Sequence, residues 1–300
     1  MSASVKGTRL SRPMGVLYAC VSAGTFGLLP LFSMSALEAG YTTQSVLFYR
    51  FAIATVIFGV MALLRGIRLR VGGRQLLELL LLGTLCYGAG AYFLIYAYQF
   101  IPTGIATTIN FLYPVCVALV MRFVFGERLN VATVLAIGLS LVGVACMSWE
   151  GGGLLDLHGL GAAFITCVCY GLYIVGLSKL SVRRVPGSIV TFYVLLFCTL
   201  LFGALAMVHG GIQPLRSLPV ARDMVLIAVV STIISNLTLV LAVQSIGSIY
   251  TSVLGSLEPL TAVGVGVFLF SEQLNWLQLT GVVLVVVSVA LVVIWKPRKQ

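Results

Sequence analysis

Charge is scarce in this chain. Only 9% of its 300 residues are charged, with eight carboxylates and two histidines in total. Chemistry that needs paired acids or a histidine cluster has little to draw on. No GxxxxGK[ST] phosphate loop occurs, which excludes ATP hydrolysis by that route. Long polar stretches are missing too, so no connection could hold a soluble domain. The seven cysteines (20, 86, 116, 146, 167, 169 and 198) lack the paired spacings of a metal or redox site. Cys167 and Cys169 come nearest, but residues two apart on a helix point in different directions. They read as small buried hydrophobes. No metal and no other cofactor is expected.

What fills the chain is apolar. Sixty per cent of it is hydrophobic and the mean hydropathy is +1.12, more than a wetted soluble domain can hide. A helical span needs ~20 apolar residues to cross ~30 Å of hydrocarbon. Ten runs qualify, at about 14–37, 45–64, 75–98, 102–124, 131–149, 158–179, 187–209, 223–245, 247–270 and 276–295. Barrel strands would alternate instead. The expected fold class is an all-α polytopic membrane protein. The first run follows Lys6, Arg9 and Arg12 like a signal sequence, but it leads straight into further spans and reads as an uncleaved first helix.

The formal charge of +10 suggests nucleic acid, yet its distribution argues against that partner. Fourteen of the 18 basic residues fall on one side if the N-terminus is cytoplasmic. These are Lys6, Arg9 and Arg12; Arg65, Arg68, Arg70 and Arg74; Arg128; Lys179, Arg183 and Arg184; and Lys296, Arg298 and Lys299. That bias places both termini in the cytoplasm. His158 and His209 sit at span ends on the outer side, where interfacial solvation accounts for them.

The second half repeats the first. "YPVCVALVMRFVFGERLN" (113–130) aligns without gaps to "EPLTAVGVGVFLFSEQLN" (258–275) at an offset of 145. Gln99 meets Gln244 at the same offset. Earlier the offset is 144, where "FGL" (26–28) meets "YGL" (170–172) and "FY" (48–49) meets "FY" (192–193). The two repeats are 1–150 and 151–300, with five spans each. An odd number of spans starts the second copy on the opposite side, so the repeats are inverted, an arrangement suited to states open to opposite faces.

Spans four and nine carry Pro114 and Pro259 near their midpoints, expected as helix kinks. Each proline deprives the carbonyl four residues earlier of its partner, leaving Asn110 and Gly255 with freed C=O groups. The same faces are polar. Thr103, Thr107, Asn110 and Pro114 form one stripe; Ser248, Ser252, Gly255 and Pro259 form its copy, with Ser256 alongside. Cavity lining and close packing by small residues are both open readings. Span three adds Tyr92, Tyr96 and Gln99, span six Tyr170 and Tyr173, and span eight Ser235 and Asn236, with Gln244 as the mate of Gln99. Rings beside small polar groups suit an amphipathic small molecule.

Three charges fall inside spans. Arg122 is close enough to a span end to snorkel. Arg50 and Glu258 lie deeper, where a charge costs upward of ~2.5–3.5 kcal/mol. Glu258 reads either as a carboxyl that takes up a proton and couples it to substrate, or as a structural acceptor. Arg50 reads as the partner of a substrate carboxylate or as a structural pin. Their repeat mates are Tyr113 and Val194. In "GERLN" and "SEQLN", Asn130 and Asn275 are expected N-caps, and Glu127 and Glu272 are expected to meet the dipoles of spans five and ten.

Together these features resemble the EamA-like family of the drug/metabolite transporter superfamily. The likeness rests on the five-plus-five repeat, on Pro-x(11)-Gly-Glu-Arg-Leu ending span four and Glu-Pro-x(11)-Ser-Glu-Gln-Leu ending span nine, and on "FYRF" with Arg50. It covers essentially the whole chain. Tyrosine precedes Pro114 here, a departure from the family pattern. The resemblance implies a carrier of the bacterial cytoplasmic (inner) membrane, often an exporter of amino acids or other metabolites, with a cavity between the halves. The expected partners are a small-molecule substrate, the lipid bilayer and, on one reading of Glu258, protons. Oligomeric state is not fixed by the sequence. No enzyme constellation is evident. A lipid scramblase or a non-transporting membrane subunit is the alternative.

Overall fold

The computed structural model describes residues 12–67, 69–101, 103–147, 156–270 and 275–294. Among them every regular element is helical. Eight helices are long and apolar enough to cross a membrane, and Val131–Cys146 is a shorter apolar helix. Lys6, Arg9, Arg68, Lys296, Arg298, Lys299 and Glu272 lie outside the described residues, as does the side chain of Thr103.

The first half runs α1 (Arg12–Phe26), α2 (Leu29–Glu38), α3 (Thr43–Leu64), α4 (Gly73–Leu81), a π turn (Leu82–Gly88), α5 (Ala89–Ala97), α6 (Thr103–Asn110), α7 (Tyr113–Phe123) and α8 (Val131–Met147). The second runs α9 (Leu157–Lys179), a 3-10 turn (Ser181–Arg184), α10 (Gly187–Val208), α11 (Leu218–Ala228), a second π turn (Val229–Ile234), α12 (Ser235–Ile246), α13 (Ser248–Leu254), α14 (Leu257–Phe270) and α15 (Trp276–Ile294). Arg12, which opens α1, bonds Val292 O near the end of α15 at 3.2 Å. That side is the near face, and the connections alternate between it and the far face.

Pro114 and Pro259 do more than kink their spans. Each stands in the first turn of a new helix, where a missing N–H costs nothing, so α6 breaks from α7 at 111–112 and α13 from α14 at 255–256. Pro30 does the same between α1 and α2, a third break with no counterpart in the continuous α9. The Gly255 carbonyl is not free as expected, because it accepts from Glu258 N at 2.9 Å. Asn130 and Asn275 cap as expected, accepting from Thr133 N at 2.7 Å and Gln278 N at 2.8 Å. Glu127 instead binds Lys179 Nζ, at the end of α9, at 2.7 Å. Arg122 is exposed in the last turn of α7.

The packing is two-fold. α3 packs on α10 and α8 on α15, while α1 on α12 is matched by α5 on α9, and α1 on α14 by α9 on α7. Exchanging the halves maps this set onto itself. Individual bonds obey the same exchange: Ser22 donates to Ser235 O at 2.9 Å, and Thr166 donates to Gly90 O at 3.3 Å. Thr55 and Thr199, mates at offset 144, meet at 2.9 Å across α3 and α10 and mark the axis. The π turns are mates as well.

Backbones approach closely at the breaks. A Cβ on Gly27 would strike Glu258 O, and one on its mate Gly171 would crowd Cys116 and lie 3.6 Å from Tyr113 O. A Cβ on Gly255 would collide with the Tyr113 hydroxyl. Gly255→Ala is therefore expected to cost about 1–3 kcal/mol, as overpacking does. Tyr113→Phe in that background should return part of the loss. Thermal unfolding of the purified protein measures both, and an unchanged melting temperature for Gly255→Ala would contradict the close approach.

Candidate functional site

The centre is organised by Arg50 in α3, which is 1% exposed. Its Nε donates to Thr232 Oγ1 at 2.7 Å and its Nη2 to the Tyr87 hydroxyl at 3.4 Å. Thr232 belongs to one π turn and Tyr87 to the other, and the two are mates at offset 145. Thr232 passes its own proton to Ile227 O at 2.8 Å, which leaves its oxygen free to accept. The guanidinium also faces the rings of Phe51 and Phe26, 5.0 and 5.7 Å from their centroids. Among the described residues, neither Arg50 nor the buried Glu258 has an opposite charge within ion-pair distance.

A small cavity of about 20 Å³ opens beside Arg50, bounded by Phe26, Tyr87, Asn110, Thr166 and Tyr170 among others. That is room for about one water, whereas small-molecule sites run to about 300–1,000 Å³. The cavity beside Arg50 is too small for such a ligand. Phe26 stacks on Tyr170, its mate at offset 144, with centroids 6.2 Å apart. Asn110 Oδ1 is buried without a hydrogen-bond partner among the described residues, and this is where an incoming donor would find an acceptor.

Of the residues singled out from sequence, Arg50, Asn110 and Tyr170 line this cavity. Tyr173 lies one shell further out, where its hydroxyl pairs with the Asn236 amide at 3.1 Å. Tyr92 and Tyr96 do not reach the cavity; they stack on each other and continue through Phe100 to His158 at the far end. Ser252 and Ser256 turn back on α13, donating to Ile249 O and Val253 O. Thr107 is hydrogen-bonded to Tyr98. Phe26, Tyr87 and Thr166 were missed as lining residues. Phe26 stands inside the repeated "FGL", the one signal that could have found it.

Gln99 and Gln244 leave the centre altogether. Gln99 Nε2 donates to Thr43 Oγ1 at 2.8 Å on the far face, and Gln244 Nε2 donates to Val185 O at 2.9 Å on the near face. They belong to a pair of matched latches. On the far face Tyr49 donates to Gln213 O at 2.7 Å, and Ser35 to Asp223 Oδ2 at 2.7 Å. On the near face Tyr193 donates to Leu69 O at 2.8 Å, and Ser181 to Glu78 Oε2 at 2.6 Å. Tyr49 and Tyr193, Gln213 and Leu69 are mates at offset 144, and Asp223 and Glu78 at 145. Equivalent bonds thus sit on opposite faces, and both sets are engaged.

Comparison with known proteins agrees with this architecture. A solved structure, a crystal structure of a protein, superposes with a TM-score of 0.80 at 19% identity, covering 94% of this chain and 98% of that one. The "Uncharacterized transporter sll1319" of Synechocystis sp. (strain ATCC 27184 / PCC 6803 / Kazusa) is 26% identical over 200 residues, 64% of this chain. The match spans 59% of that relative's length. The model of the EamA-like transporter family matches twice, over residues 13–149 and 157–294. The chain is a multi-pass membrane protein and belongs to the EamA-like transporter family, within the drug/metabolite transporter superfamily.

Proposed function

We propose that this chain is a secondary transporter that exports small metabolites such as amino acids across the bacterial cytoplasmic membrane by alternating access. Ten spans in two inverted five-helix repeats, with both termini cytoplasmic, would make the near face the cytoplasmic one. The observation that carries the reading is the pair of matched latches on opposite faces, closed around a centre that holds one buried cation and one unpartnered acceptor. Release of one latch opens one side while the other stays shut. A zwitterionic amino acid fits the exposed chemistry: its carboxylate would bind Arg50 and its ammonium would donate to Asn110 Oδ1. Phe26 and Tyr170 would part to admit it. Glu258 would carry the coupled proton, as a buried carboxyl with no ion-pair partner among the described residues.

Proteoliposomes loaded with a mixed pool of amino acids and metabolites test this, with and without a pH gradient. Selective, saturable flux of one compound is expected, and lipid transfer without soluble flux would favour a scramblase. Arg50→Lys should lower that flux by about tenfold or more, because an ammonium cannot reproduce the two-armed contact. Glu258→Gln should abolish gradient-driven accumulation and keep substrate exchange; accumulation that persists would rule out the proton role.

The latches yield a separate expectation. Loss of one hydrogen bond is worth about 0.5–1.5 kcal/mol, a shift of roughly two- to tenfold between states. Tyr49→Phe should therefore raise thiol labelling of probes placed along the far-face opening, and Tyr193→Phe along the near-face one. The same change in both variants would contradict independent gates.

A further inference from the structure

The two-fold framework breaks down in charge at one corner. On the near face, the start of α4 meets the connection from α9 to α10, and Arg74, Lys179, Arg183 and Arg184 converge there on a cavity of about 400 Å³ that also includes Ser178 and Ser181. Two carboxylates answer the four cations: Glu78 accepts from Arg74 at 3.1 Å and Glu127 from Lys179 at 2.7 Å. Arg183 and Arg184 are exposed, and no ion pair joins either to a carboxylate among the described residues. Two positive charges remain in excess.

The latch itself does not require them. At the equivalent far-face corner, Ser35, Asp223 and Arg222 reproduce the bonds of Ser181, Glu78 and Arg74. There the end of α2 and the turn after it, residues 34–42, contain no cation and one carboxylate, Glu38. The same mechanical corner is thus built twice and made basic once.

The surroundings point to the ligand. Arg74 lies in the first turn of α4, and Lys179 ends α9, so the pocket sits at the level of the helix ends. Leu77 and Leu81 come after Arg74 at helical spacing on α4, 57% and 44% exposed, as an apolar stripe leading from the pocket into the bilayer. Leu180 at the rim is 37% exposed. A cationic cup above an open apolar stripe matches a headgroup phosphate with its acyl chains. We propose that this pocket binds a phosphate-bearing anion, the headgroup of an acidic phospholipid in the leaflet bordering the near face. Bound there, it would bridge α4 to the α9–α10 connection, the two parts that the near-face latch joins.

The test uses the full-length protein in phosphatidylcholine vesicles doped with spin-labelled phosphatidylglycerol or phosphatidylcholine, reading the immobilised lipid fraction. Wild type should prefer phosphatidylglycerol. Arg183→Gln with Arg184→Gln should lose that preference by on the order of tenfold, since each basic group near a lipid surface contributes about 1 kcal/mol. Arg216→Gln on the far face removes one charge elsewhere and should leave it unchanged. If the double variant does not fold, Arg184→Gln alone should give a smaller loss in the same direction. Inorganic phosphate added in competition distinguishes the sources: displacement of the labelled lipid would identify free phosphate as an occupant of the same site. No preference in wild type, a preference retained in the double variant, or an equal loss in Arg216→Gln would overturn the proposal.

Discussion

A guanidinium buried in a membrane protein must be held by something other than water. In this molecule Arg50 is held without a described counter-ion, and much of the architecture stems from that requirement. A buried charge costs several kcal/mol even after relaxation. Hydrogen bonds to a charged group return about 1.5–3 kcal/mol each, and a desolvated cation–π contact about 2 kcal/mol. Two hydroxyls and two rings are therefore enough to keep the cation without neutralising it. Both hydroxyls come from π turns, which bring Tyr87 and Thr232 towards the arginine from opposite halves. A π turn carries one residue more than the regular helix, rotating the remainder of the span by about 100°. The irregular turns look costly in isolation, and the charge between them supplies the reason for keeping them.

The two-fold symmetry and its exceptions divide the work. Symmetric features are mechanical: the Thr55–Thr199 contact on the axis, the serine and threonine bonds joining α1 to α12 and α9 to α5, and the latches. Equivalent bonds lie on opposite faces, so each of these closing contacts in one half has a counterpart in the other. Asymmetric features are chemical. Arg50 faces a repeat mate that is Val194, Glu258 one that is Tyr113, and the break at Pro30 has no partner in α9.

Much of this was legible in the residues. The offset of 144–145 identified Gln99 with Gln244 and Phe26 with Tyr170, and the structure keeps both equivalences. Their roles were not legible, because repeat spacing says which positions correspond and not what they face. Gln99 and Gln244 look like polar lining on a helix drawn alone, yet each meets the start of a neighbouring span. The π turns were invisible, since no proline or glycine pattern marks them uniquely, and so Tyr92 and Tyr96 were credited with a cavity that Tyr87 borders. The small-residue stripe of span nine was ambiguous for another reason. A buried serine can satisfy its own hydroxyl on the preceding turn, as Ser252 and Ser256 do, and helical spacing cannot distinguish that from a hydroxyl aimed at a ligand.

The small cavity beside Arg50 explains why the chemistry of the site is expressed as deficits. With room for about one water, nothing the size of an amino acid is held there in this conformation. What remains among the described residues is an arginine without a counter-ion and an amide oxygen without a donor, each of which a fully satisfied core would avoid. Besides the buried Arg50, the chain also buries a carboxylate, Glu258. Yet no ion pair forms between them. Arg50 is thus left to its hydroxyl and ring partners, and Glu258 to a buried position of its own.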